Sequence, residues 1–473
     1  MAVCPQELAD QVRRLVFEVT PEDFAEEMAA VVGEWETQYA AGTQEDQDAI
    51  AAALVELSAD IVSYLPRWNL QDEDRYPEVL DTEELIEAAA TNCELLEGWG
   101  RLEQAKAVQQ VAGATATSNL VEITRMTDDE VCNVRWGNDY ASGLKSALRR
   151  GATLVTTNPQ LVNVARTEHP DMWDPVKARL KAEHADADPL QLASLMTMQV
   201  VAENARLIRP IWEITGGELG YVSLQLNPTK ASDPDAMVDQ AEWIFSRMGD
   251  LLGGTPNIVF KVPGTKAGLE AAARLTSQAM GVNITVNYSL PQQIAFAEVI
   301  EKHSTAQVSF RTQMDGRVDD PIGEELAAAG VEDALGLKTW ATAAMRRREF
   351  AMLLAEPDEG GRGYKKSFPL GAAGRGPWNI TRSLWNGPVT EFITIFPNRQ
   401  EQFDAIPRVL DPNALDEPVD EAIIKALRQS KIFCQMYEPD GLTVDEFDDF
   451  LPCRLTLKQF SEQFEDFVKW LSA

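Results

Sequence analysis

The chain has 473 residues, of which 45% are hydrophobic and 25% are charged, a composition typical of a globular protein in water. Its formal net charge of -33 at pH 7 would repel phosphate backbones and anionic lipid surfaces, so we expect neither a nucleic-acid partner nor a membrane partner. An anionic ligand would have to be held by a few local arginines, which makes the arginines near any candidate site informative.

The cysteines and histidines show no metal-binding pattern. The five cysteines are scattered and form no CxxC pair, which predicts reduced thiols without a disulfide framework or a zinc site. The three histidines, His169, His184 and His303, are far from metal-ligand spacing. We therefore expect no metal and no cofactor. The N-terminus lacks the basic start and apolar core of a signal peptide, and no run approaches about 18 apolar residues, so we predict a cytoplasmic protein.

The first 115 residues are predicted to form a helical module. Thr20 followed by Pro21 is a good helix start, and apolar residues then recur at helical spacing at Phe24, Met28, Val31 and Trp35. Further helical patterns run through Asp46–Tyr64 and Asp81–Ala112, with a break marked by Pro66, Asn69 and Pro77. We expect a helical cap or oligomerisation module packed on the main domain, and a homo-oligomer is one option.

From residue 116 to residue 473 the pattern changes to short strands separated by helices, which indicates a parallel sheet with crossover helices. The candidate strands are Leu120–Thr124, Thr153–Asn158, Gly220–Asn227, Ile258–Val262, Asn283–Asn287, Gln307–Phe310, Phe368–Ala372 and Phe392–Phe396. Eight strands, each followed by helical sequence, favour a closed (β/α)₈ barrel of the TIM type in the α/β class, ending in C-terminal helices. A doubly wound sheet is the alternative, but no glycine-rich phosphate turn follows the first strand.

Several candidate strands alternate polar and apolar residues, whereas parallel strands covered on both faces are usually apolar throughout. Ser223 to Asn227 and Asn283 to Asn287 are examples. Because alternate side chains point to opposite faces of a strand, the polar set is expected to face the barrel interior. Lys261, near the C-terminal end of its strand, then points into a polar pocket at the end of the barrel where active sites lie.

A lysine in such a pocket is partly desolvated, which lowers its pKa and frees the amine to attack a ketone or aldehyde. The resulting Schiff base is an electron sink that permits cleavage of a neighbouring carbon-carbon bond. Polar residues predicted on nearby strands suit this chemistry: Asn158 and Asn283 for substrate hydroxyls, and Glu122, Gln225 and Thr285 for protons and water. The alternative is that Lys261 forms a structural ion pair with a barrel carboxylate.

An ordered set of motifs, spread over residues 118 to about 400, resembles the transaldolase family of class I aldolases. The motifs are Thr156-Thr157-Asn158-Pro159, Lys261-Val262-Pro263 followed by Gly264-Thr265-Lys266-Ala267-Gly268-Leu269, and Asn283-x-Thr285 with Ser289-x-x-Gln292. The resemblance implies that Lys261 is the Schiff-base residue, that Asn158 and Asn283 bind substrate hydroxyls, and that Thr285 positions a catalytic water. It implies phosphosugar substrates, held by Arg317 and Arg375 with Ser309 or Thr312, and a place in the pentose phosphate pathway.

Two positions depart from the family pattern. The third strand carries Gln225 where transaldolases usually have a glutamate, and a glutamine can hold a water but cannot take its proton. The first-strand aspartate of the family is not found, and Glu122, or else Asp128, is expected to replace it. We predict transfer of a dihydroxyacetone unit between phosphosugars. Cleavage of the fructose-6-phosphate aldolase kind, transfer on a modified sugar, or a non-catalytic sugar-binding scaffold or sensor are the alternatives.

The last stretch of the chain carries aromatic residues at helical spacing, which predicts a packing helix rather than a ligand site. These residues are Phe460, Phe464, Phe467 and Trp470.

Overall fold

The structure is a computed structural model that describes residues 3–63, 82–141 and 143–473, and its chain divides into two compact units. The first unit comprises the described part of Met1–Asp128 with Lys145–Gly151 and Glu213–Thr215. The second comprises the described part of Asp129–Leu144, with Ala152–Trp212 and Gly216–Ala473. The predicted helical module of residues 1–115 falls within the first unit.

Helices build the first unit, as the sequence predicts. They are α1 (Pro5–Phe17), α2 (Pro21–Ala41), α3 (Gln44–Ser63), α4 (Thr82–Gly98), α5 (Leu102–Thr117) and α6 (Asn119–Asp128). Helix α2 begins at Pro21, with Thr20 at the N-cap position as expected. The core of the unit contains Trp35, whose indole N–H donates to Gln11 Oε1 at 2.8 Å. The predicted break at Pro66, Asn69 and Pro77 lies outside the described residues.

The second unit is a closed barrel of parallel strands in which each strand pairs with the next and β8 pairs with β1. The strands are β1 (Val134–Asn138), β2 (Ala152–Val155), β3 (Tyr221–Gln225), β4 (Ile258–Pro263), β5 (Val282–Thr285), β6 (Phe310–Gln313), β7 (Phe368–Ala373) and β8 (Glu391–Ile395). The predicted (β/α)₈ barrel is therefore confirmed, and the doubly wound alternative is excluded.

Helices lie between the strands and after the last one. They are α7 (Leu144–Arg149), α8 (Pro159–Glu168), α9 (Pro170–Glu183), α10 (Pro189–Ile214), α11 (Pro234–Leu252), α12 (Lys266–Ser277), α13 (Leu290–His303), α14 (Asp315–Ala328), α15 (Ala334–Lys338), α16 (Ala341–Glu349), α17 (Trp378–Thr381), α18 (Pro397–Asp404), α19 (Glu421–Leu427), α20 (Lys431–Tyr437) and α21 (Leu451–Ser472). A π-helical segment, Phe350–Leu354, follows α16 directly. Among the described residues, no helix combines the length and the apolar character needed to cross a membrane.

The prediction of the first strand at Leu120–Thr124 is wrong. This stretch is part of helix α6, which begins behind Ser118, whose hydroxyl accepts from the backbone N–H groups of Leu120 and Val121 at 3.2 Å each. Glu122 forms an ion pair with Arg125 one turn further along the same helix. Five residues are too few to distinguish strand alternation from one turn of an amphipathic helix, which explains the error.

The true first strand, β1, contains a glycine and an asparagine, which are typical turn residues and hide it in the sequence. Gly137 is needed because a Cβ atom at this position would lie 2.6 Å from the carbonyl oxygen of Leu154 on the neighbouring strand. The register between β1 and β2 also shifts at this point, between Trp136 and Gly137. Strand β1 can therefore lie this close to β2 only because residue 137 has no side chain.

The barrel interior is apolar at one end and polar at the other. The apolar end is a cluster formed by buried residues, mostly near the strand starts: Leu154, Tyr221, Val259, Val308, Phe310, Leu370 and Phe392. Phe310 and Phe392 pack edge to face with ring centroids 5.0 Å apart. Because this cluster fills the barrel floor, any cavity inside the barrel has to open at the C-terminal ends of the strands.

Candidate active site

A cavity of about 430 Å³ lies at the C-terminal ends of the barrel strands. Its walls are formed by Asp139, Thr156, Asn158, Lys261, Thr285, Thr312, Met314, Gly316, Arg317, Ala372, Gly374, Arg375, Thr394, Phe396, Gln459 and Phe460. Three cationic side chains and one carboxylate line it, so the cavity is locally positive in a chain with a net charge of -33. This local charge suits an anionic small molecule.

Lys261 is held at the cavity wall by strand β4 and is only 6% exposed. Its Nζ donates to the backbone carbonyl of Thr157 at 2.7 Å. Burial lowers the pKa of the Lys261 amine, and the nearby carboxyl of Asp139 opposes this shift. The side chain is therefore oriented by a neutral acceptor, and its amine is more easily deprotonated than that of a lysine in water.

Asp139 follows β1 directly, so its carboxyl group lies at the end of the first strand, where the family pattern has an aspartate. It is 6% exposed, and its Oδ1 accepts from the hydroxyl of Thr156 at 2.6 Å. Burial raises the pKa of Asp139, while the charges of Lys261 and Arg317 and the bond from Thr156 work against this rise. A carboxyl group with a raised pKa beside an amine with a lowered pKa is suited to passing protons.

A chain of hydroxyl groups supports Asp139. Thr156 Oγ1 lies 2.6 Å from Thr394 Oγ1 on strand β8. A hydroxyl group has one proton, and that of Thr156 is donated to Asp139, so Thr394 must be the donor to Thr156. The side chain of Asp139 is thereby fixed by residues of two neighbouring strands.

Asn283 is buried beneath the cavity wall rather than in it. Its Nδ2 donates to Ser223 Oγ at 2.9 Å, and its Oδ1 accepts from the hydroxyl of Thr312 at 2.5 Å. In the sheet register Asn283 lies directly beside Lys261. In this arrangement Asn283 orients Thr312, which does line the cavity.

Of the two candidates for the phosphate-binding hydroxyl, Thr312 lines the cavity and Ser309 does not. Ser309 is fully buried, and its hydroxyl accepts from the backbone N–H of Val282 at 3.3 Å. Of the two hydroxyl groups, therefore, only that of Thr312 belongs to a residue that lines the cavity.

Arg317 and Arg375 line the same cavity, each held by a partner. Arg317 Nη1 donates to Gln459 Oε1 at 2.6 Å. Arg375 donates through Nε and Nη2 to one oxygen of Asp320, at 3.0 and 2.8 Å. A Cβ atom on residue 316 would lie 2.4 Å from Arg375 Cγ, so only glycine at Gly316 lets Arg375 pass so closely over the start of α14.

Gln225 lies beside Lys261 in the sheet register but faces a smaller neighbouring cavity that it shares with Phe460. Its Nε2 donates to the carbonyl of Leu226 at 3.3 Å. Its Oε1 is buried and has no hydrogen-bond partner within the described residues. Gln225 therefore has an acceptor atom to offer a water molecule or a substrate hydroxyl.

Six of the candidate site residues named from the sequence line the main cavity: Lys261, Asn158, Thr285, Thr312, Arg317 and Arg375. Asn283, Ser309 and Gln225 lie close by in the barrel but are not among the lining residues. Glu122 is not among the lining residues; it lies on helix α6 and pairs with Arg125. Its expected place at the end of the first strand is taken by Asp139.

Sequence reasoning also missed Gln459 and Phe460, which helix α21 contributes to the cavity. The aromatic spacing of α21 does predict a packing helix, and Phe460, Phe464 and Phe467 are buried. Which of these residues also reaches a cavity cannot be read from periodicity alone, because the same apolar face serves both purposes.

A larger cleft, of about 860 Å³, is lined by helices and loops and by none of the barrel strands. Its cations are already bound: Arg348 and Arg428 both pair with Glu438, at 2.7 and 2.6 Å, and Arg347 donates to the carbonyl of Ala343 at 3.1 Å. The smaller cavity, with its buried amine and carboxyl group, is therefore the candidate active site. Within the described ranges, no three His, Cys, Asp or Glu residues are grouped to hold a metal ion.

Comparison with known families gives a match to the model described as Transaldolase/Fructose-6-phosphate aldolase, over residues 142–436, more than half of the chain. The chain belongs to this family. Asp139, Gln459 and Phe460 all lie outside the matched range.

Curated relatives agree with the family assignment. A protein named Transaldolase from Thiobacillus denitrificans is 30% identical over 214 residues, covering 43% of this chain and 57% of the relative. Transaldolase 1 of Streptomyces avermitilis is 29% identical over 250 residues (49% and 63%), and Transaldolase of Mycobacterium ulcerans is 30% identical over 241 residues (49% and 61%). The chain thus spans about three fifths of the length of the relatives that it matches.

Proposed function

We propose that the protein transfers a dihydroxyacetone unit from a ketose phosphate to an aldose phosphate through a Schiff base on Lys261. The observation that carries this proposal is the environment of the Lys261 amine: it is buried, its pKa is lowered, and it lines one cavity with the Asp139 carboxyl group and two arginines. Membership of the transaldolase/fructose-6-phosphate aldolase family supports it.

The proposed reaction starts with attack of the neutral Lys261 amine on the ketone carbon of the donor. The carbonyl oxygen leaves as water after taking up protons, for which Asp139 supplies the carboxyl group in the cavity wall, and an iminium ion is formed. Asp139 then accepts the proton of the hydroxyl group on the fourth carbon. The electron pair of the bond between the third and fourth carbons moves to the iminium nitrogen, and an aldose phosphate leaves.

The second half of the reaction reverses these steps on the acceptor. The enamine carbon attacks the aldehyde carbon of the acceptor, and the aldehyde oxygen takes the proton back from Asp139. Water then hydrolyses the iminium ion, which releases the new ketose and restores the Lys261 amine. We propose that Thr285 and Gln225 hold this water, since Thr285 lines the cavity with Lys261 and Gln225 lies beside Lys261 in the sheet register.

The substrate is proposed to lie with its hydroxyl groups near Asn158 and Thr312 and its phosphate near Arg317 and Arg375. Arginine binds phosphate through two parallel N–H groups, which fixes the sugar phosphate at the end of the cavity remote from its carbonyl group. Thr312, oriented by Asn283, takes the role that the resemblance assigns to a hydroxyl residue before the first arginine.

Cleavage to free dihydroxyacetone, or transfer on a modified sugar, is the second candidate, and Gln225 favours it. Gln225 stands where transaldolases usually have a glutamate, and an amide cannot take a proton from water, so the proton relay typical of the transferring enzymes lacks this group. Release and transfer differ in what the enamine carbon takes up: a proton, after which water hydrolyses the iminium ion and frees dihydroxyacetone, or the aldehyde carbon of an acceptor.

Borohydride reduction tests the proposal. With fructose 6-phosphate present, we expect a stable adduct that mass spectrometry locates on Lys261 and that is absent in Lys261→Met. Lys266→Met is the matched control, because Lys266 is 66% exposed at its side chain and pairs with Asp445. Adduct formation without activity on any acceptor would favour cleavage over transfer. If no ketose gave an adduct, both enzymatic proposals would be wrong and a non-catalytic sugar-binding protein would be the remaining alternative.

A further inference from the structure

The C-terminal helix α21 is bound to the barrel by hydrogen bonds spread along its length. The hydroxyl groups of Tyr288 and Thr456 lie 2.5 Å apart, Asn163 Nδ2 donates to the carbonyl of Gln463 at 2.8 Å, and Lys177 Nζ donates to the carbonyl of Trp470 at 2.6 Å. Gln459 and Phe460 lie between the first two of these contacts and line the cavity. Their position is therefore set by the barrel itself.

The bond from Arg317 decides how the Gln459 amide is turned. A guanidinium group is only a donor, so the atom of Gln459 that lies 2.6 Å from Arg317 Nη1 must be the oxygen. The Nε2 amide group, with two protons, is then on the other branch of the side chain. It has no hydrogen-bond partner in the part of the chain that the structure describes.

Phe460 limits the ways in which Arg317 can move. The Arg317 guanidinium lies over the Phe460 ring, 5.2 Å from its centroid, and the ring is almost completely buried. With one face against the ring and one N–H bound to Gln459, Arg317 keeps its remaining donors for a ligand. Gln459 and Arg317 together offer donors side by side at the cavity wall.

We propose that Gln459 is a specificity residue that contacts the substrate: its Nε2 donates a hydrogen bond to the anionic group that Arg317 and Arg375 bind. The identification of this group as a sugar phosphate rests on the proposed function. A neutral donor beside two cations suits a phosphate, which has more acceptor oxygens than two arginines can saturate. The family match, over residues 142–436, does not include this residue.

The test uses inorganic phosphate as the probe, titrated calorimetrically into the unchanged 473-residue chain and into Gln459→Met, which has similar volume but no amide. We expect the Kd for phosphate to rise about tenfold, because a hydrogen bond to a charged group is lost. Lys458→Gln is the matched control: it removes one positive charge next to Gln459, its side chain is 74% exposed, and it should change the Kd less than twofold. Unchanged phosphate binding by Gln459→Met would overturn the proposal.

A double-mutant cycle separates direct contact from simple support of Arg317. If Gln459 contacts the phosphate, Gln459→Met weakens binding further in an Arg317→Met background; if it acts only through Arg317, it has no further effect there. Should Gln459→Met fail to fold, Gln459→Asn replaces it in both the phosphate titration and the double-mutant cycle, because its side chain is one methylene group shorter and its amide lies further from the ligand. The borohydride adduct of the unchanged protein with unphosphorylated dihydroxyacetone tests the proposed function separately, since this ketone has no phosphate to reach Gln459.

Discussion

Thr156 donates its hydroxyl proton to the carboxyl group of Asp139 across 2.6 Å, joining the C-terminal ends of the first two barrel strands. This bond aims Asp139 at the cavity that Lys261 lines. The combination of this buried amine with a buried, hydrogen-bonded carboxyl group is the centre of the proposed chemistry.

Asp139→Asn should reduce kcat for dihydroxyacetone transfer by about 100-fold or more, since a positioned general acid and base is lost. Steady-state kinetics with fructose 6-phosphate and an aldose phosphate acceptor would measure this. Glu122→Gln is the control: Glu122 pairs with Arg125 on the surface of a helix in the first unit, and its replacement should leave kcat within a factor of two. The reverse result would return the proton-transfer role to Glu122.

The pH dependence of Schiff-base formation should reveal the lowered pKa of Lys261. Only the neutral amine attacks a ketone, so the rate of borohydride-trapped adduct formation is expected to rise with pH and level off below the pH at which an ordinary lysine, with a pKa near 10.4, loses its proton. Asp139 opposes the shift, so Asp139→Asn should move the midpoint to still lower pH. A midpoint at the ordinary lysine value would contradict the burial argument.

Asp320 is expected to position Arg375 rather than to touch the substrate. It binds Nε and Nη2 of Arg375 and also accepts from Lys338 Nζ at 2.9 Å, yet it does not line the cavity. Asp320→Asn should raise KM for a phosphorylated donor about three- to tenfold while kcat stays within a factor of two. A loss of kcat with an unchanged KM would show a general structural defect instead.

The buried carboxyl group of Asp315, at the start of α14, should make stability depend on pH. Burial raises its pKa to about 7, against a value near 3.9 in an unfolded chain, so the folded state keeps a proton that the unfolded state releases. Its contribution to stability is present below about pH 4 and is lost as the pH rises towards 7 and beyond. Urea unfolding between pH 5 and 8 should show a flatter dependence in Asp315→Asn.

Loss of an aromatic side chain from the barrel floor should lower the free energy of unfolding. Phe392 is 2% exposed and packs against Phe310 and Phe368, so Phe392→Ala is expected to lower the free energy of unfolding by about 3–5 kcal/mol. Val409→Ala, at a side chain that is 75% exposed, should change it by less than about 0.5 kcal/mol. Urea denaturation followed by circular dichroism would compare the two, and equal effects would mean that the floor is loosely packed.

The sequence by itself determined the barrel, and it pointed to a lysine and two arginines that the structure places around one cavity. Alternation of polar and apolar residues along a strand is a local pattern, and it indicated that Lys261 and Thr285 face the interior. The order of motifs along the chain then pointed to Arg317 and Arg375, because each motif is contained within a few consecutive residues.

The tertiary structure alone decided which groups complete the site. Asp139 follows a strand that was not recognised in the sequence because it contains Gly137 and Asn138, which are typical turn residues. The glycine is explained only by the close approach of Leu154 on the next strand. Gln459 lies 142 residues from Arg317 in the chain and meets it only because α21 is fastened across the barrel. Local patterns record which face of an element is buried, but contacts between distant elements depend on how those faces pack, and this packing is what a single sequence does not display.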